Sequence, residues 1–210
     1  MHDPDIDALL ADQRFSEELK RCIAFHGHLC PGLTYGYLVA TQALTLLPVS
    51  RSADEEVVAI SENDTCAVDA LQVILGTTIG KGNLILRDYG KNVFTVFSRE
   101  ARKALRFSRK GNYVYEGPEQ AEFESLEKAF REGQATSAQR HRQKWLKTLD
   151  LLAKPFHRVF EVTSVPCPDV PYAPLAPSKP CSRCKEMTMA TRLIDRGNGE
   201  PLCIPCAQSQ

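Results

Sequence analysis

An α+β fold, with a mixed or antiparallel sheet packed with helices, is what this 210-residue chain predicts. Three observations point there. Apolar residues recur at helical spacing through the first 75 residues. Short β-rich runs bounded by turn residues follow, up to about residue 115. Two further helical stretches then precede a proline-rich segment and a small C-terminal module of zinc-ribbon type. The chain reads as a core over residues 1–165, a linker over 166–180 and a four-cysteine module over 181–210.

Each element has its own justification. From Asp5 to Phe25 the pattern is helical: Phe15, Leu19, Cys22 and Ile23 recur at spacings of four and three, and His26 continues the same stripe. Gly27 ends that helix. Pro31 and Gly32 open the next, with Leu33, Tyr37, Ala40, Leu44 and Leu47 as its buried face and Pro48 as its stop. Glu56–Ser61 reads as a strand. Asn63-Asp64-Thr65 is a cluster of capping residues ahead of a helix carrying Ala67, Ala70, Leu71, Ile74 and Leu75, which places Cys66 in its first turn. After the glycine-rich loop Gly76–Asn83, Leu84–Arg87 and Asn92–Ser98 are predicted as strands around the turn Asp88-Tyr89-Gly90-Lys91. Lys103–Ser108 and Tyr113–Tyr115 are expected to add short strands. Pro118–Glu132 and Thr136–Ala153 are predicted helices, the first acidic and the second basic, and Val159–Ser164 a last strand. Six prolines between Pro166 and Pro180 make an extended, semi-rigid spacer.

Composition narrows the functional classes. The chain is 43% apolar and 25% charged, as ordinary globular proteins are. No apolar run approaches the length of about 18 residues needed to span a membrane. Met1–Asp5 is acidic and lacks the apolar core of a secretory signal, so a cytoplasmic location is expected. Zero net charge conceals an asymmetry: residues 1–98 carry 7 Lys/Arg against 13 Asp/Glu, and residues 99–158 carry 14 against 8. The basic excess, in Arg99–Lys110 and Arg140–Lys147, suits either an acidic partner or the acidic half of the same protein or of a second copy.

Eight cysteines without an export signal are not expected to form a disulfide framework. Cys181, Cys184, Cys203 and Cys206 stand as C-x2-C-x18-C-x2-C, the spacing of a structural tetrathiolate zinc site, with a hairpin tip at Gly197-Asn198-Gly199. So short a segment cannot bury enough surface to fold alone, so the metal would supply its folding energy. The module's net charge of +2, from Lys179, Arg183, Lys185, Arg192 and Arg196 against Glu186, Asp195 and Glu200, is thin for a nucleic-acid footprint.

A second constellation lies in Phe25-His26-Gly27-His28-Leu29-Cys30-Pro31-Gly32, a tight connection between two core-facing helices. Imidazole and thiolate are the ligands borderline-soft metals prefer. His26, His28 and Cys30, with Cys66 at the start of another helix, are therefore candidates for a second, transition-metal site. They are equally candidates for a reactive thiol with histidine partners, Cys30 or Cys66 as nucleophile and His26 or His28 as base. The plainer alternatives are a satisfied core histidine and a small buried cysteine. Asp64 and Asp69 flank Cys66 and are placed to orient an imidazole. Gly76-Thr77-Thr78-Ile79-Gly80-Lys81-Gly82-Asn83 fails as a phosphate-binding P-loop on spacing and on the residue after the lysine. Lys81 is left as a candidate anion ligand, with close backbone packing the alternative.

Four runs together resemble one family. Phe25–Gly32, Glu62-Asn63-Asp64-Thr65-Cys66-Ala67-Val68-Asp69-Ala70, Gly80-Lys81-Gly82-Asn83-Leu84 and Arg87-Asp88-Tyr89-Gly90-Lys91 look like the signatures of the formylmethanofuran dehydrogenase FmdE family, in that family's order. The resemblance spans about residues 20–110. It implies an α+β core that forms homodimers, a metal near the His/Cys run and a detachable zinc module. It also implies a metal-binding accessory protein linked to a molybdenum or tungsten oxidoreductase with a molybdopterin cofactor, whose catalytic chemistry resides in other polypeptides of that complex. A stand-alone thiol enzyme and a zinc-finger regulator acting on nucleic acid are the alternatives the residues leave open.

Overall fold

The computed structural model describes residues 6–197 and 199–209. The chain divides into two compact units, Met1–Asp169 and Val170–Gln210. In the first unit, α1 (Ile6–Ala11), α2 (Glu17–His26) and α3 (Pro31–Leu46) precede β1 (Val57–Ser61), α4 (Ala67–Leu75), β2 (Leu84–Leu86), β3 (Val93–Ser98) and β4 (Lys103–Arg109). Then come α5 (Gln120–Arg131), α6 (Ser137–Ala153), the short α7 (Phe156–Val159) and β5 (Phe160–Val165).

The five strands form one mixed sheet in the order β2-β1-β3-β4-β5. β1 and β2 are parallel, because α4 carries the chain back over the sheet between them; all other neighbours are antiparallel. The register aligns Ala59, Val96 and Leu105 in one row and Phe94 with Phe107 in the next. This face, with Val57 and Leu84, meets the helices in a single core. Every residue of β1 and β3 is buried, which is why Val57–Ile60 and Val93–Phe97 read as near-continuous apolar runs without polar alternation. Phe160 closes one end of this core, edge-on to Tyr35 and Phe94 and stacked on Phe156.

Three expectations are corrected. The predicted helix from Asp5 to Phe25 is two helices (Asp5 itself lies outside the described residues): Asp12 pairs with Arg14 in a turn, and Ser16 caps α2 by accepting from the Leu19 N–H at 3.2 Å. Local side-chain bonding beats helix continuation there. Tyr113–Tyr115 is not a strand; Tyr113 donates to Asp150 and Tyr115 stacks on Phe123, so both rings anchor the α5–α6 pair. Asp64 and Thr65 do not cap α4; Cys66 occupies the cap position itself.

In the second unit, β6 (Ser178–Pro180) pairs antiparallel with β7 (Met187–Met189), and β8 (Leu193–Ile194) with β9 (Leu202–Cys203), which leads into α8 (Ile204–Gln208). A 3-10 turn, Ala190–Arg192, joins the two pairs. The last three residues of the proline-rich run thus form a strand of this unit. The expected tip at Gly197-Asn198-Gly199 includes Asn198, outside the described residues, as do the Met1–Asp5 residues read for a signal.

Candidate metal centre

α2 ends on His26 because Gly27 takes the left-handed conformation (φ 89°), donating its N–H back to Ile23. The turn places His28 against His26, ring centroids 4.3 Å apart. Cys30 is the N-cap of α3, with Pro31 at the first helical position, and its sulfur accepts from the Leu33 N–H at 3.4 Å. Cys66 reaches the same place from the start of α4. What brings the two helices together is glycine. A Cβ on Gly36 would stand 2.1 Å from the Ala67 carbonyl oxygen, and one on Gly32 would stand 3.0 Å from Cys66 Cβ and 3.8 Å from Cys30 Sγ. Only residues without side chains permit that approach.

One donor atom each from His26, His28, Cys30 and Cys66 lies within 4.8 Å of every other. A tetrahedral zinc with bonds near 2.0–2.3 Å has ligand-to-ligand edges of about 3.3–3.8 Å, so the cage fits such an ion with slight contraction. Asp69, in the first turn of α4, sets the histidine: its Oδ2 stands 2.7 Å from His26 Nδ1. A carboxylate accepting from Nδ1–H leaves Nε2 as the free lone pair, and that atom faces Cys30 Sγ at 3.9 Å. Gln72 donates to the other Asp69 oxygen at 3.3 Å. Burial pushes the Cys30 thiol up to about 11, with the neighbouring Cys66 sulfur adding to the rise. A thiolate so disfavoured by burial gains from a cation beside it.

The other singled-out residues hold the frame. Asp64 is exposed, so of the two flanking aspartates it is Asp69 that meets an imidazole. Asn63 accepts from the Thr65 N–H and hydroxyl and donates to the Lys91 carbonyl at 2.6 Å. The Tyr89 and Lys91 N–H groups both donate to the Glu62 carbonyl. Glu62 itself pairs with Arg106 at 3.2 Å. The run Arg87–Lys91 therefore clamps the segment leading into Cys66. Lys81 donates to the Ser52 and Ala53 carbonyls at 3.3 and 3.2 Å, and the fully buried Asn83 side chain binds Thr78 N–H and the Val57 and Asp54 carbonyls. That loop fastens the chain ahead of β1.

In the second unit, the sulfurs of Cys181, Cys184, Cys203 and Cys206 also lie within 4.8 Å of one another. Among the described residues these two tetrads are the groupings of three or more possible metal ligands. Lys185, just after the first Cys pair, adopts φ 65° and donates its N–H to the Cys181 carbonyl, which folds the knuckle. The Cys203 N–H donates to Cys181 Sγ at 3.3 Å and draws that thiol down to about 6. An acidic thiol in a sulfur tetrad suits a thiophilic cation.

With this geometry in view, comparison with known proteins places the chain. Residues 25–161 match the family described as "FmdE, Molybdenum formylmethanofuran dehydrogenase operon". The chain belongs to the FmdE family. The FmdE region takes in His26, His28, Cys30, Cys66 and the whole sheet apart from the last residues of β5. A "Probable S-adenosyl-L-methionine-binding protein" of Archaeoglobus fulgidus is 32% identical over 197 residues, 91% of this chain. The chain spans about half of that relative, 52% of its length. A "tungsten formylmethanofuran dehydrogenase subunit e (fmde)-like protein" from Syntrophus aciditrophicus has a similar fold, with a TM-score of 0.59, 20% identity and 91% of each chain covered.

Proposed function

We propose that this FmdE-family chain is a metal-binding accessory protein, linked to a molybdenum or tungsten oxidoreductase as a subunit or chaperone. The single observation that carries it is the convergence of His26, His28, Cys30 and Cys66, with Asp69 fixing the tautomer of His26. Two imidazoles and two thiols suit zinc and the other borderline-soft transition metals over magnesium or calcium. In this reading the core holds one transition metal. Cys181, Cys184, Cys203 and Cys206 hold a structural zinc, and the module they fold docks a partner.

The family resemblance supports a homodimer and, with the expected cytoplasmic location, a reducing setting for the thiols. Among the described residues no helix is long and apolar enough to cross a membrane. S-adenosylmethionine is not carried over from the Archaeoglobus relative, since about half of that protein lies beyond the match. The thiol-enzyme reading is the weaker one for Cys30, because burial holds its thiol far above the pH at which it would be a ready nucleophile.

Elemental analysis of the full-length protein tests the proposal. Two metal equivalents per chain are expected, falling to one in His28→Ala and in Cys66→Ser. One equivalent in the wild type, unchanged by these substitutions, would end the core-site reading. Co-isolation of a molybdopterin enzyme with the tagged chain from its native cells checks the partnership.

A further inference from the structure

We infer that the first unit carries a second binding site, separate from the metal centre, which takes a small organic anion with a carboxylate or phosphate head. A cavity of about 290 Å³ opens between the end of β4, the loop Lys110–Val114 and the junction of α6 with α7. Its wall carries four cationic side chains, Arg109, Lys110, Lys154 and Arg158, and one carboxylate, Glu116.

The ion pairs show which of these charges are already compensated. Glu116 binds Lys154 at 2.9 Å and Arg158 at 2.7 Å. Lys154 also meets the buried Asp150 at 3.1 Å, and Asp150 is further held by the Tyr113 hydroxyl and the Glu116 N–H. Among the described residues, Arg109 and Lys110 are in no ion pair. The Arg109 guanidinium lies over the Tyr35 ring, 5.6 Å from its centroid, and reaches the Gly111 carbonyl only over a long 3.4 Å. A guanidinium held on a buried ring and in no ion pair is a preorganised receptor for a planar or tetrahedral oxyanion.

The rest of the wall defines the ligand's body. Leu151 and Val159 are buried apolar residues on the cavity's lining. Both tyrosine rings of the wall are engaged by cations, Tyr35 by Arg109 and Tyr113 by Lys147 and Lys154, and Tyr35 is buried as well. The volume is at the lower end of small-molecule sites. Together these features select a compact anion with an apolar portion over a nucleotide or a nucleic-acid strand. Tyr35 sits on α3, the helix whose first turn begins at Cys30, so an occupant would touch the same helix as the metal centre.

Calorimetric titration of the full-length protein tests this with three probes sharing one ring: phenyl phosphate, benzoate and neutral phenol. At least one of the two anions is expected to bind with a Kd on the order of 1 mM or tighter, and phenol not to bind. The better of the two names the head group. Arg109→Gln should weaken that probe about tenfold or more. The double variant Lys110→Gln with Arg158→Gln, at two exposed positions that leave the core intact, should weaken it as well. His28→Ala should bind the probe as the wild type does. Absence of saturable binding by both anions, equal binding of phenol, unchanged affinity in both cationic variants, or loss of binding in His28→Ala would each overturn the inference.

Discussion

Asp69 Oδ2 and His26 Nδ1 stand 2.7 Å apart although 43 residues separate them in the chain. The pair joins the last residue of α2 to the first turn of α4, so one hydrogen bond both fixes an imidazole and ties two helices. Asp69→Asn keeps the shape and removes the charge. It should lower core metal affinity by about 10–100-fold, as carboxylates behind ligating histidines do elsewhere. Competition against a chromophoric chelator measures this, and affinity equal to wild type would remove Asp69 from the site.

Gly36 is the second testable contact. Alanine there gains about 1 kcal/mol of helix propensity, yet its Cβ meets the Ala67 backbone. Overpacking against main chain should dominate, with a net loss of about 2 kcal/mol or more in urea unfolding. Gly80→Ala is the control: no heavy atom lies within 4 Å of the added carbon, and the change should be near neutral.

Glu56 makes acid stability readable at one residue. The Ser52 hydroxyl at 2.7 Å and the Asp54 N–H at 2.9 Å hold its carboxyl at about 2, below its ordinary 4.5. A depressed folded-state value means the contribution is complete above 4.5 and is lost as pH falls toward 2. Wild-type and Glu56→Gln proteins should therefore differ most in stability at neutral pH and converge below about pH 2. Parallel unfolding curves across that range would contradict it.

Metal removal should act differently on the two units. Among the described residues of the second unit, the buried ones are Cys181, Cys203 and Ala207, and its short strand pairs cannot hold it alone. Cys181→Ser or a strong chelator should unfold residues 170–210 while the amide spectrum of the sheet persists. A module that keeps its protection without metal would argue against a structural ion.

Much of this was legible in the chain. Helical spacing located α2, α3 and α4, and the β-rich runs located the sheet's strands within a residue or two, because burial on one stripe or on both faces writes directly into residue type. The residue types of the His/Cys run point to a candidate site, and the fold brings its four donor atoms within 4.8 Å of one another. What spacing does not carry is direction across space. Asp64 and Asp69 flank Cys66 alike in sequence, and only the packing of α4 on α2 selects Asp69. Gly36 sits unremarked in an apolar helix, since the demand on it comes from Ala67 on another one. Tyr113 and Tyr115 alternate as a strand would, but hydroxyl and ring contacts to α5 and α6 outcompeted a sixth sheet position. Lys81 reads as a candidate anion ligand, and spacing does not show that its ammonium also donates to two carbonyls of a distant loop, Ser52 and Ala53.

The two glycines of α3 turn the tetrad into a gauge. With main chain resting on main chain at residue 36, the jaws carrying sulfur 30 and sulfur 66 are spaced by peptide atoms that do not swivel. An oversized guest must bend a backbone to be seated, whereas a swap of donor type at either jaw alters which guest is preferred and leaves the opening as it was.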